Sequence, residues 1–282
     1  MLIASFVLAL IFGVDADGWK FWLMQGLYTV LIGSTAFIYS ALTKTKVFVA
    51  TRLNKAPRYA HFLWGCLATV FLIFFMTPLN NLLMKAIESL GFERPSVEFP
   101  NDLVGLLVVA CLLPCFTEEI VFRGTIAQSL ENNGNKLASL AISGALFALF
   151  HANPAQTIHQ FVLGAFLTLL VFRSGSLWTS IIVHFFNNAL VVALSYTPLG
   201  YDEFWNTNTN AVWVAVLFAV GLVGFVMSLF GYLKTTKSVW QMDKADGESQ
   251  SKSTLSAFSI VCLSVGVFVC SLLWIVSLFS VS

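Results

Sequence analysis

The chain has 282 residues, of which 58% are hydrophobic and 10% charged, with a formal net charge of +1. A soluble domain carries roughly 45–50% apolar and about 25% charged residues, so this composition excludes a soluble enzyme, a secreted disulfide scaffold and a disordered chain. The near-zero charge gives no basis for nucleic-acid binding. One membrane helix takes about 20 apolar residues, and the apolar content here is enough for about eight.

Residues 1–14 are apolar but short. They have no basic flank and no small-residue cleavage site, so they read as a partial membrane segment rather than a signal peptide. Continuous apolar runs follow at about 18–43, 60–84, 102–128, 137–152, 155–172, 176–198, 211–232 and 255–279. They do not alternate as barrel strands do, and backbone in lipid must satisfy its own hydrogen bonds. The expected fold is all-α, a multi-pass transmembrane bundle of about eight to nine helices forming one membrane domain over 1–282. The polar stretch 241–254 is expected to be a flexible cytoplasmic loop.

Basic residues set the expected orientation. Lys44, Lys46, Arg52, Lys55 and Arg58 crowd one connection, and Lys234, Lys237, Lys244 and Lys252 another. The stretch 85–102 is mixed to acidic, and 199–210 carries Asp202 and Glu203 with no basic residue. Placing both basic connections in the cytoplasm makes every alternation from 18 to 279 consistent, with Lys136 and Arg173 also inside.

The five cysteines lie in apolar stretches and suit packing. Cys111 and Cys115 share a helix face, but no second pair completes a soft-metal site.

Ionisable and amide groups inside apolar runs carry the functional signal, because they are costly there and face a partner or a water-filled cavity. Glu118 and Glu119 follow a long apolar run, and Arg123 lies one turn beyond Glu119, so the two can pair on one face. Glu118 points about 100° away and stays available for proton work. His151 ends an apolar run just before Pro154, with Phe147 one turn earlier. His184 and Asn188 share a face of the 176–198 run. Counted from the basic end at 1.5 Å per residue, Glu118, His184 and His151 lie about 15, 13 and 21 Å deep. Three helices therefore carry polar groups at similar depth.

Such a set suits peptide hydrolysis by activated water, with a carboxylate or imidazole as base and donors for the oxyanion. It also suits a zinc ion held by Glu118, His151 and His184 with one open position. No Gly-x-Ser-x-Gly or His-Glu-x-x-His motif is present.

The order Glu118-Glu119-x-x-x-Arg123, Phe147-x-x-x-His151, His184-x-x-x-Asn188 on a helical membrane chain resembles the CAAX-processing and bacteriocin-processing (CPBP, or Abi) family of intramembrane proteases. The likeness covers roughly 102–198, the expected protease core. It implies an endopeptidase in the cell membrane with its site open to the cytoplasmic side and a membrane-associated or lipidated peptide or protein as substrate. By this resemblance Glu118 and His151 activate water and His184 and Asn188 hold the oxyanion. Glu119, Arg123 and Phe147 support the site. The favoured reading needs no cofactor, with zinc as the alternative. The chain looks more like the bacterial members, some linked to bacteriocin maturation or self-immunity. Two other classes compete, a non-catalytic membrane scaffold and a proton-coupled transporter; the latter usually shows repeat symmetry, which is absent here.

Outside the three motifs, His159 reads as a structural hydrogen-bonding group and His61 as interfacial. Trp19, Trp22 and Trp178 read as membrane-interface anchors, and Gly221 and Gly224 as close-packing positions.

Overall fold

A computed structural model describes residues 19–44, 46–92, 102–131, 136–201, 203–236 and 257–279. Residues 1–14 and the loop expected at 241–254 lie outside the described residues. Eight long helices follow one another: α1 (Trp19–Thr43), α2 (Tyr59–Glu88), α3 (Leu103–Glu131), α4 (Lys136–His151), α5 (Thr157–Ser174), α6 (Leu177–Ser195), α7 (Thr207–Thr235) and α8 (Ala257–Phe279). No strand occurs among the described residues. Helices α2, α3, α6 and α7, together with Pro154–Ser174, which contains α5, are long and apolar enough to cross a membrane.

Glycines set the closest helix crossings. A Cβ on Gly221 of α7 would lie 2.7 Å from the Phe75 backbone nitrogen of α2, and one on Gly224 would run into the Phe71 ring. The expected packing role of both is met. A Cβ on Gly144 of α4 would meet the Phe161 carbonyl of α5 at 2.6 Å, and one on Gly164 would meet the Gly144 Cα at 3.0 Å. Buried Leu72, Phe75, Phe147, Leu163, Leu167, Leu170 and Val183 fill the space between α2, α4, α5 and α6.

Helix α4 has 16 residues, about 24 Å at 1.5 Å per residue, against about 30 Å of bilayer hydrocarbon. It is too short to cross a bilayer, and its last residue is His151. The sequence explains the stop. Ala152 takes a left-handed φ of 46°, a strained value for a residue with a Cβ. Pro154 then disfavours continued helix at Asn153. The Asn153 side chain accepts from Ala155 N–H at 3.0 Å, and its carbonyl accepts from the Thr157 hydroxyl at 3.1 Å. The chain thus turns directly from α4 into α5.

Helix α3 is widened to π-helix at Leu106–Leu112 and again at Phe122–Ala127. Between them lies the α-helical stretch Leu113–Val121, which has Pro114 in its first turn and carries both carboxyl groups. Pro114 has no N–H to give the preceding turn, and the first wide segment ends just before it. π-Segments of this kind collect at functional sites.

The two ends of the bundle differ in charge. Arg52 and Lys136 pair with the two oxygens of Glu131 at 3.1 and 3.0 Å. The Ser176 hydroxyl donates to the Lys55 carbonyl at 2.5 Å, and Arg173 Nε donates to Thr236 Oγ1 at 2.8 Å. These contacts gather Lys44, Lys46, Arg52, Lys55, Arg58, Lys136, Arg173 and Lys234 at one end of the bundle. At the other end Lys85 bonds Thr207 at 3.0 Å and Trp274 bonds Thr157 at 2.8 Å. Near the basic end, His61 of α2 is buried and its Nδ1 lies 3.1 Å from Tyr232 Oη of α7. A helix neighbour therefore satisfies His61 in the first turn of α2.

Candidate active site

Adjacent residues of α3 enter two different environments. Glu119 and Arg123, four apart, are fully buried, and Arg123 Nη1 donates to Glu119 Oε1 at 2.5 Å. Arg123 Nη2 donates to the Gly164 carbonyl at 3.1 Å, reachable because Gly164 lets α4 and α5 close together. The guanidinium carbon lies 4.2 Å from the centroid of the Phe147 ring, a cation–π contact. From α6, His184 Nδ1 donates to the same Glu119 oxygen at 2.9 Å. Phe147 stands edge-on to His151 and His184, with centroids 4.5 and 5.4 Å away. Glu119, Arg123, His184 and Phe147 thus form a dry, interlocked layer. A buried pair of this kind is weak evidence for net stability, but deleting one partner leaves an uncompensated charge, at a cost of about 3–5 kcal/mol.

Next to this layer lies a cavity of about 380 Å³, within the range of small-ligand sites. Glu118, 3% exposed, lines it, as do His151, Asn188, Asn187, His159 and Asn80. His151 Nδ1 lies 2.7 Å from the Phe147 carbonyl. A carbonyl only accepts, so Nδ1 carries the hydrogen, and in the neutral ring Nε2 is the lone-pair nitrogen. The amides form a chain. Asn187 Nδ2 donates to Asn188 Oδ1 at 3.0 Å, and Asn188 Nδ2 donates to Cys115 Sγ at 3.4 Å. His159 Nε2 donates to Asn187 Oδ1 at 3.3 Å, and His159 N–H donates to Asn80 Oδ1 at 3.2 Å.

Three helices therefore bring Glu118, His151 and Asn188 to one cavity. His184 is not among the residues that line it. It was expected to stand beside Asn188 as a second oxyanion donor, yet its Nδ1 is tied to Glu119 in the buried layer. Cys111 and Cys115, read as packing residues, contribute more than packing: Cys111 lines the cavity and Cys115 bonds Asn188. His159, read as structural, does bond Asn187 and also lines the cavity. Asn187 and Asn80 were not assigned to the site. Their signal was present, since an amide inside an apolar membrane helix needs a polar partner. What was missing was the turn at Ala152–Pro154, which folds His159 back beside His151.

The zinc alternative meets a poor fit. Among the described residues no three His, Cys, Asp or Glu side chains converge on one point as a metal site requires. Of the three candidate ligands, Glu118 and His151 share the cavity and His184 sits behind it, held by Glu119.

The same segment of chain is what matches known proteins. Residues 100–190, from the approach to α3 into α6, match the family described as type II CAAX prenyl endopeptidase Rce1-like. A curated relative named "Putative membrane peptidase YdiL", from Bacillus subtilis (strain 168), is 23% identical over 181 residues, 62% of this chain and 74% of its own length. No solved structure matches. With its three motifs in order on α3, α4 and α6, this multi-pass chain is similar over residues 100–190 to the type II CAAX prenyl endopeptidase family and, at 23% identity, to a protein named as a putative membrane peptidase.

Proposed function

We propose that the chain is an intramembrane endopeptidase in which Glu118 and His151 activate a water molecule for attack on a peptide carbonyl. The observation that carries this reading is the joint presence of a carboxyl group and an imidazole with a fixed tautomer in one cavity deep in the bundle. His151 Nε2 orients the water through its lone pair. Glu118 takes the water proton as the oxygen bonds to the carbonyl carbon. It returns that proton to the leaving amine when the C–N bond breaks, so the products are a carboxyl and an amine terminus. The Asn188 amide supplies a donor for the oxyanion of the tetrahedral intermediate. In this reading His184, its Nδ1 committed to Glu119, acts from behind the cavity by holding that layer in place. The Glu119–Arg123–His184 layer fixes the stretch of α3 that carries Glu118.

A survey of new protein termini by mass spectrometry tests this reading. Cells expressing the wild-type chain are compared with cells expressing Glu118→Ala at matched levels. Termini that require Glu118 are expected. Identical profiles would point instead to a scaffold that shares the fold.

A further inference from the structure

We infer that His159 and Asn187 are positioning residues for the reaction: through a directed chain of hydrogen bonds that ends on Cys115, they hold the Asn188 side chain with its N–H, and not its C=O, toward the oxyanion. This rests on the endopeptidase reading above and adds to it what aims the donor.

An asparagine amide has nearly the same shape either way round, with donors at one end and an acceptor at the other. Turned one way, Asn188 offers the oxyanion an N–H. Turned over, it offers a carbonyl oxygen, which repels the developing negative charge. An oxyanion donor is effective because it is aimed before that charge appears. Something in the cavity wall must therefore choose between the two orientations.

The direction of the chain makes the choice. His159 Nε2 lies 3.3 Å from Asn187 Oδ1. An amide oxygen only accepts, so the ring nitrogen donates. Asn187 Nδ2 is then the end that reaches the next residue, where it donates to Asn188 Oδ1 at 3.0 Å. With its oxygen taken, Asn188 gives one N–H to Cys115 Sγ at 3.4 Å. An amide nitrogen carries two hydrogens, and the second is the one left for a reacting group. Reversing the first link reverses the rest. A lone pair at His159 Nε2 would turn Asn187 over to donate to it. Asn188 would then turn over to donate to Asn187 Oδ1, and its own oxygen would face Cys115.

The fold anchors both ends. His159 is the third residue of α5. Its backbone N–H is one of the donors that a helix start leaves without an internal partner, and it donates to Asn80 Oδ1 of α2 at 3.2 Å. Cys115 stands on α3, three residues before Glu118, so the last link ties the oxyanion donor to the helix that carries the base. His159 is 9% exposed, Asn187 2% and Cys115 0%, which leaves water little access to compete. The chain of bonds joins α5, α6 and α3, and no single helix sets it.

The test uses the full chain and two readouts. The first is the infrared S–H stretch of Cys115 in protein purified in detergent, identified in each background by its loss on adding Cys115→Ala. A thiol can accept a hydrogen bond or donate one, and donating lowers the stretching frequency. In the wild type the thiol accepts from Asn188. His159→Leu removes the ring donor, so the released amide turns its oxygen to the thiol and the band is expected to fall. His159→Gln keeps an N–H at the end of the side chain and is expected to keep the wild-type band. The second readout is the yield of Glu118-dependent termini in cells at matched expression. In His159→Leu it should drop by about tenfold or more, with the roughly 10²–10³-fold loss of a missing oxyanion donor as its ceiling, and His159→Gln should recover it. Asn187→Ala breaks the chain one link later, is expected to give the same two changes, and replaces His159→Leu if that variant does not fold.

A band that does not fall overturns the inference whatever the yield. With full yield His159 is structural alone, and with reduced yield it acts on the substrate directly. A lowered band with undiminished yield overturns it as well, and so does a His159→Gln protein that behaves as His159→Leu. If no terminus depends on Glu118 in the wild type, the endopeptidase reading falls, and the S–H band still decides whether His159 sets the direction of the Asn188 amide.

Discussion

Glu118 and Glu119 are neighbours on one helix, yet they belong to different parts of the machine. Glu119 is locked between Arg123 and His184, with no exposure at all. Glu118, turned about 100° around the helix, lines a cavity with His151 and Asn188. A similar division appears on α6, where His184 joins the buried layer and Asn188, one turn later, lines the cavity. The first motif thus supplies two residues to the buried layer, Glu119 and Arg123, and one to the cavity wall, and each of the other two motifs supplies one to each. Disturbing the layer should cost folding, and disturbing the cavity wall should cost turnover alone.

The largest effect is expected for Arg123→Ala. It leaves Glu119 buried without its cation, at a cost of about 3–5 kcal/mol, which for a chain of this size lowers the unfolding midpoint in detergent by roughly 10 °C. Thermal unfolding checks it, and an unchanged midpoint would dissolve the distinction between layer and wall. Glu118→Gln comes next. It keeps the side-chain shape and removes the base, so Glu118-dependent cleavage should fall by about 10²–10⁴-fold with the midpoint unchanged. Asn188→Ala should lower cleavage by about 10²–10³-fold, a loss read from the yield of new termini at matched expression. The smallest effect is expected from metal removal: chelator-treated protein shown by elemental analysis to hold no zinc should keep its activity. Loss of activity, with recovery on adding zinc, would require Glu118, His151 and His184 to rearrange from the positions seen here.

Much of the bundle was legible in the sequence. The apolar runs at 60–84, 102–128 and 211–232 correspond to α2, α3 and α7 because lipid leaves the backbone little choice but helix. The Glu119–Arg123 pair was legible from its spacing. Gly221 and Gly224 were legible as contact positions because small residues let membrane helices approach. The cavity as a whole was not. His159 joins His151 only through the left-handed turn at Ala152, which no residue type announces, since glycine is the usual occupant of such a φ. His61 finds Tyr232 across 171 positions of chain, a partnership that no local pattern encodes. The separation of His184 from Asn188 was hidden for another reason. Residues four apart share a helix face, but where a cavity stops along that face depends on the neighbouring helices.

The most direct test of this division is a paired measurement on Glu118→Gln and Glu119→Gln, each expressed at wild-type level, purified in detergent and scored for unfolding midpoint and for substrate cleavage. The account predicts that Glu118→Gln unfolds with the wild type and cleaves about 10²–10⁴-fold more slowly, whereas Glu119→Gln unfolds at a clearly lower temperature. A Glu118→Gln protein that cleaves at close to the wild-type rate, or a Glu119→Gln protein as stable as the wild type, would contradict it.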